Sequence, residues 1–192
     1  MEEQQSIELK KEKIKSWIKE PTNLLLLILI IFTVGTRLYY FSLTANQPTW
    51  WDEGDYLGVA AVYAIDFPEK PEWWGHFTAI RPPLMPLIWA LFIKLGVSEA
   101  LMRFITEVIP SILIIFLIYL IGKSLFNKKV GLIAGYIMSF YWVLHFYSYR
   151  FLTDIPTVFL GLTSIYFFWE YYLKREKNRG LYLSVFFGVL GF

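Results

Sequence analysis

Apolar residues in this chain come in long blocks set off by short charged stretches. Four blocks, about 22–43, 100–126, 130–148 and 152–173, are near the roughly 20 residues needed to cross a ~30 Å hydrocarbon core. A fifth begins near 180 and is still running at 192. A polar tail, residues 1–20, with five Lys and five acids, precedes the first block. No small-residue cleavage site follows that block, so it is expected to stay as an anchor. Arg37, near its far end, is expected to snorkel toward the interface.

The stretch 46–99 breaks this rhythm, being too polar for a span and too apolar for a plain loop. Leu84, Leu87, Ile88, Leu91, Phe92 and Leu95 recur at helical spacing. Pro82 and Pro83 ahead of them suit a helix start. A helix over 84–95 is about 18 Å long, too short to span, and is expected to lie at the interface. The segment 52–65, with Leu57, Ala60, Ala61 and Ala64 on one face, is a second candidate of this kind. The predicted fold class is all-α integral membrane: a transmembrane helix bundle over 21–192 whose outer loop carries two juxtamembrane helices.

Charge gives the bundle a direction. The tail lysines, then Lys123, Lys128 and Lys129, then Lys174, Arg175, Lys177 and Arg179 all fall on one side if the blocks alternate. By the positive-inside rule that side, with the N-terminus, is cytoplasmic. Loop 46–99 and the short connection 147–154 then share the outer face. Composition narrows the picture further. With 56% hydrophobic and 20% aromatic residues and a mean hydropathy of +0.47, this is a polytopic membrane composition. A net charge of +2 leaves no broad basic field for nucleic acid. The absence of cysteine excludes disulfides and thiolate metal sites. There is no Walker pattern or dinucleotide fingerprint, so a transferase of this kind would draw its activated donor from the membrane.

Three outer-face patches are candidates for chemistry. In "WWDEGD", Asp52 and Glu53 follow a tryptophan pair. Asp52 with Asp55 suits helix capping. A carboxylate at a helix start is also placed to serve as a general base, and the two readings are compatible. In "AIRPPLMP", Arg81 is either a head-group anchor or a phosphate ligand, since its planar fork of donors matches phosphate oxygens. In "YSYRFLTDIP", Arg150 and Asp154 lie between two spans, where Thr153 suits a helix cap and Pro156 a first turn. His76 and His145 lack ligand spacing and read as structural. Arg103 and Glu107, four apart, are placed to pair on one helix face.

The order and sidedness of these patches resemble the GT-C glycosyltransferases, in particular the dolichyl-phosphate-mannose protein mannosyltransferase and aminoarabinose transferase group. The matching features are the "DE" pair of the first outer loop, the basic residue and proline opening "RPPLMPLIWALFIKLG", and the acid in "FLTDIP". The resemblance implies transfer of a hexose such as mannose, with inversion, from a polyprenyl- or dolichyl-phosphate carrier to an extracytoplasmic acceptor. It makes Asp52 the base and has Glu53 shape the same acidic site. Arg81 becomes the phosphate ligand, and Asp154 with Arg150 completes the site. It leaves open a divalent cation at the acids, and whether the acceptor is protein, lipid or glycan. Relatives have more spans, so a chain ending in "FFGVLGF" is expected to be a fragment or truncated product, inactive alone. The rival reading is a non-enzymatic membrane protein, a transporter piece or a polyprenyl-phosphate-binding module. Transport places ionisable groups near the bilayer midplane, whereas here only Glu107 sits deep.

Overall fold

A chain crossing hydrocarbon must satisfy its backbone polar groups internally. Among the described residues all regular structure is helical. The computed structural model describes residues 16–64 and 82–191, together with 4, 5, 8 and 12. Two helices are long and apolar enough to cross a membrane: α1 (Pro21–Thr44) and, later in the chain, α4 (Glu99–Leu125). α1 opens on a proline in its first turn, where the missing N–H costs nothing.

Between them stand α2 (Glu53–Ala64) and α3 (Leu84–Lys94), the two short helices expected from the sequence. They pack on each other through Tyr56, Ala60, Met85 and Trp89, and this small core also takes in Met102 and Phe151. α3 stops at Gly96, whose φ of 69° lets the Val97 N–H reach back to the Phe92 carbonyl and the Gly96 N–H to that of Ile93. That left-handed cap is one a β-carbon would oppose. Ser98 then caps α4 by accepting from the Leu101 N–H. Early in α4 the chain makes a π turn over Phe104–Val108.

The third apolar block is not one helix. α5 (Lys128–Phe140) starts on Asn127, whose side chain accepts from the Lys129 and Val130 N–H groups, and ends at Tyr141. There the backbone turns extended (φ −66°, ψ 108°) before the short α6 (Trp142–Tyr147). The break has a cause from far upstream: Arg37 of α1 donates to the Ser139 carbonyl at 3.1 Å. Arg37 therefore does not snorkel; it is fully buried, with a second contact of 2.7 Å to His145 Nε2. α7 (Asp154–Tyr166) runs on through a π turn at Phe167–Leu173, and α8 (Asn178–Leu190) folds back beside it. The main core joins α1, α4, α5, α6 and α7 through Leu29, Ile114, Ile115, Tyr119, Leu132, Leu144 and Ile155.

Polar ties close the bundle at both ends. At one end Lys128 meets Glu20 at 2.8 Å and Asn23 at 2.6 Å. Nearby, Glu170 accepts from Ser124 and pairs with Lys174 and Arg175. The opposite end holds α2 and the candidate acids. At the Lys128 end α4 and α5 meet with their backbones in contact: a β-carbon on Gly131 would lie 2.5 Å from the Tyr119 carbonyl oxygen and 2.8 Å from the Lys123 nitrogen. Gly131→Ala should therefore lower the melting temperature. Its overpacking cost of about 1–3 kcal/mol outweighs the ~1 kcal/mol that alanine gains in helix propensity. An unchanged or raised melting temperature in detergent would show that α5 can move away freely.

Candidate active site

The start of α2 is built by its own acids. Glu53, the first residue of α2, is fully buried, and its Oε2 reaches back three residues to accept the Trp50 N–H at 2.7 Å. The same oxygen takes Arg150 Nη1 at 2.9 Å, while Oε1 accepts the Phe151 N–H at 2.8 Å. Both lobes of the carboxylate are thus committed to protein, and the bonds tie the loop between α1 and α2 to the turn before α7. Arg150, held by this ion pair, lies over the rings of Trp50 (5.5 Å) and Phe146 (5.4 Å).

Successive helical residues point about 100° apart. With Glu53 turned inward, Asp52 is turned elsewhere, and it is half-buried at the edge of a cavity. The backbone helps: Trp51 has φ 50°, a left-handed conformation uncommon for a bulky residue and worth about 1–3 kcal/mol of strain. The cavity has a volume of about 240 Å³. Its walls are Trp50, Trp51, Tyr56, Phe146, Tyr147 and Leu152, and its carboxylates are Asp52 and Asp154. Asp154 opens α7 and is exposed. Thr153 stands at the cap position without capping; its hydroxyl lies 3.3 Å from the Tyr56 hydroxyl and links α2 to α7.

The structure thus brings Asp52, Glu53, Arg150 and Asp154 to one end of the bundle but divides them. Asp52 and Asp154 line the cavity. Glu53 and Arg150 pair behind its wall. Arg150 also borders a second, larger cavity of about 550 Å³ with Tyr40, His145 and Tyr149, and Phe146 lines both spaces. Burial pushes the Tyr149 phenol up to about 12, against a smaller opposing effect of the Arg37 guanidinium, so it stays protonated. Its hydroxyl lies 3.3 Å from His145 Nδ1, which fits the structural reading of that histidine. Arg81 and His76 lie outside the described residues.

A family model described as dolichyl-phosphate-mannose-protein mannosyltransferase matches residues 80–192, more than half of the chain. The chain belongs to that family. No curated protein shows a significant match to it, and no solved structure does. Family membership makes this mannosyltransferase-family protein a membrane glycosyltransferase of the GT-C type, as its sequence patches imply. The matched region includes Arg81, Arg103, Arg150 and Asp154, and it starts after Asp52 and Glu53.

Two buried arginines of this family member escaped the sequence reading. Arg37 was expected at the interface and Arg103 in a pair with Glu107. Instead Arg103 Nη1 donates to the carbonyls of Thr44 (3.2 Å) and Ala45 (2.8 Å). Neither oxygen of the buried Glu107 has a hydrogen-bond partner among the described residues. The π turn between the two residues changes the angular step on which an i,i+4 pair depends. The cost of an arginine within an apolar block was the available signal: such a charge faces the bundle and finds acceptors there.

Proposed function

We propose that this protein transfers a hexose such as mannose from a polyprenyl- or dolichyl-phosphate carrier to an acceptor outside the cytoplasm, with inversion. The observation that carries the reading is the cavity at the loop end of the bundle where Asp52 and Asp154 meet among aromatic walls. In this reading the chain is multi-pass, its basic end faces the cytoplasm by the positive-inside rule, and the cavity faces outward. That is the depth at which a lipid phosphate and its sugar sit.

Asp52 accepts the proton of the acceptor hydroxyl, and that oxygen attacks the anomeric carbon from the face away from the lipid. The bond from the anomeric carbon to the phosphate oxygen breaks, and the electron pair leaves with the polyprenyl phosphate. Arg81 is assigned to the phosphate, where a guanidinium fork offsets the leaving charge. Asp154 faces Asp52 and binds sugar or acceptor hydroxyls. Glu53 and Arg150 hold the loop that carries Asp52. No group of three His, Asp or Glu able to hold a metal occurs among the described residues. Mg²⁺ commonly needs only one or two carboxylates beside substrate phosphate; Asp52 and Asp154 would supply them, and the ion would neutralise phosphate charge.

The test is hexose transfer from a synthetic polyprenyl-phosphate hexose by the protein in its own membranes. In that assay Arg81→Ala should raise the donor KM about 10- to 100-fold, the loss of a charge-assisted hydrogen bond worth ~1.5–3 kcal/mol. An unchanged donor KM would remove the phosphate role. Donor binding without any transfer would identify a binding module instead.

A further inference from the structure

The base assigned to Asp52 sits on a loop, and a loop does not hold a carboxylate to catalytic precision unless something fixes it. We infer that Arg103 is the positioning residue that fixes the Asp52 loop to the bundle, an inference that rests on the reading of Asp52 as the base. Arg103 is 1% exposed, at the head of α4, and outside the cavity that holds Asp52. One of its nitrogens donates to two carbonyls, Thr44 and Ala45, where α1 ends and the loop begins. Its guanidinium carbon lies 4.6 Å from the centre of the Phe151 ring. The Phe151 N–H is in turn held by Glu53, which also takes the Trp50 N–H. The chain on either side of Asp52 is therefore pinned: upstream at Ala45 by Arg103, then at Trp50 and Glu53 by a carboxylate that also holds Phe151, the residue Arg103 stacks upon.

Only a guanidinium serves both contacts. One nitrogen donates to the carbonyls while the plane of the group lies against the Phe151 ring, whereas a lysine ammonium has the charge and the donors without the plane. A misplacement of about 1 Å far from the chemistry can lower turnover by ~100-fold. Donor affinity, assigned to Arg81, should be little affected.

The 192 residues contain no cysteine, so single spin-labelled cysteines report on chosen places. Labels at Thr49→Cys, on the loop, and Ile137→Cys, on the exposed face of α5, are compared in the wild-type, Arg103→Lys and Arg103→Met backgrounds of the whole protein. The expected result is a loop label freed in Arg103→Met and partly restrained in Arg103→Lys, with the α5 label unchanged in both. Transfer from a polyprenyl-phosphate hexose should show kcat reduced toward that ~100-fold limit with donor KM unchanged, and lysine should recover part of it. A loop label indifferent to Arg103→Met overturns the inference. So does release of both labels, which would make Arg103 a general support of the bundle. If Arg103→Met does not fold, Arg103→Lys alone decides, by whether it loosens the loop label selectively. If the wild type transfers nothing while the loop label still responds, Arg103 is confirmed as the loop's anchor and the reading of Asp52 as a base falls.

Discussion

Asp52→Asn should reduce sugar transfer by about 100- to 10,000-fold, the range that a positioned general base contributes. Asparagine keeps the size of the side chain and its ability to accept hydrogen bonds, so the cavity between α2 and α7 should be preserved. What it loses is the capacity to take a proton from the acceptor hydroxyl. The loss should therefore appear in kcat, with the donor KM nearly unchanged, because the lipid phosphate is assigned to Arg81. Stability should not change, since Asp52 is only half-buried at a cavity edge. The measurement is initial rates of hexose transfer at saturating donor, beside thermal unfolding of both proteins. Transfer at the wild-type rate would falsify the assignment and turn attention to Asp154, the other carboxylate on the same cavity.

Glu53→Gln should have the opposite profile, a large loss of stability. The Glu53 side chain is 0% exposed and its partner Arg150 is 17% exposed. Removing one member of a buried ion pair costs about 3–5 kcal/mol because the other charge is left uncompensated. Arg150 retains some contact with solvent and with two aromatic rings, which places the cost near the lower limit. The amide can still accept from Phe151 or Trp50, but it cannot pair with the guanidinium. A lower melting temperature in Glu53→Gln, with residual transfer following the folded fraction, is the expected outcome. A variant as stable as wild type but inactive would instead make Glu53 a participant in the chemistry. Neighbouring acids thus separate cleanly, one read in kcat and the other in melting temperature.

Much of this was legible in the sequence where the signal is local. Helix α3 ends one residue short of the expected Leu95, because its pattern of leucines, its opening prolines and Gly96 all act within a few residues. The pairing of Asp52 with Asp154 in one place was also accessible, since both follow from the sidedness of apolar blocks. The sequence did not show which member of the acid pair is buried. That depends on Arg150 and the Phe151 N–H, almost a hundred residues away. The break at Tyr141 was hidden for the same reason. Nothing in "SFYWV" forbids a continuous helix, and the carbonyl taken there by Arg37 belongs to a contact spanning 102 residues. Arg37 and Arg103 were read by rules for exposed helices, one as a snorkelling side chain and one as half of a surface pair. Each is buried, and each turns one nitrogen to backbone carbonyl oxygen at a helix end or break.

Burial of Arg37 has a consequence for how the chain is made. Its acceptor at Ser139 and its neighbour His145 are synthesised 102 and 108 residues later. At roughly 5–20 residues per second, α1 leaves the ribosome some 5–20 s before the groups that satisfy its arginine exist. During that interval the guanidinium has no protein partner in the bilayer, and only water or lipid head groups at the interface can hold it. Arg37 stands about 10 Å from the end of α1 at 1.5 Å per residue, within reach of that interface. In a chain inserted as it is made, the newborn helix is expected to rest with Arg37 turned to the lipid surface and to reach its final orientation when α5 and α6 arrive to draw the charge inward.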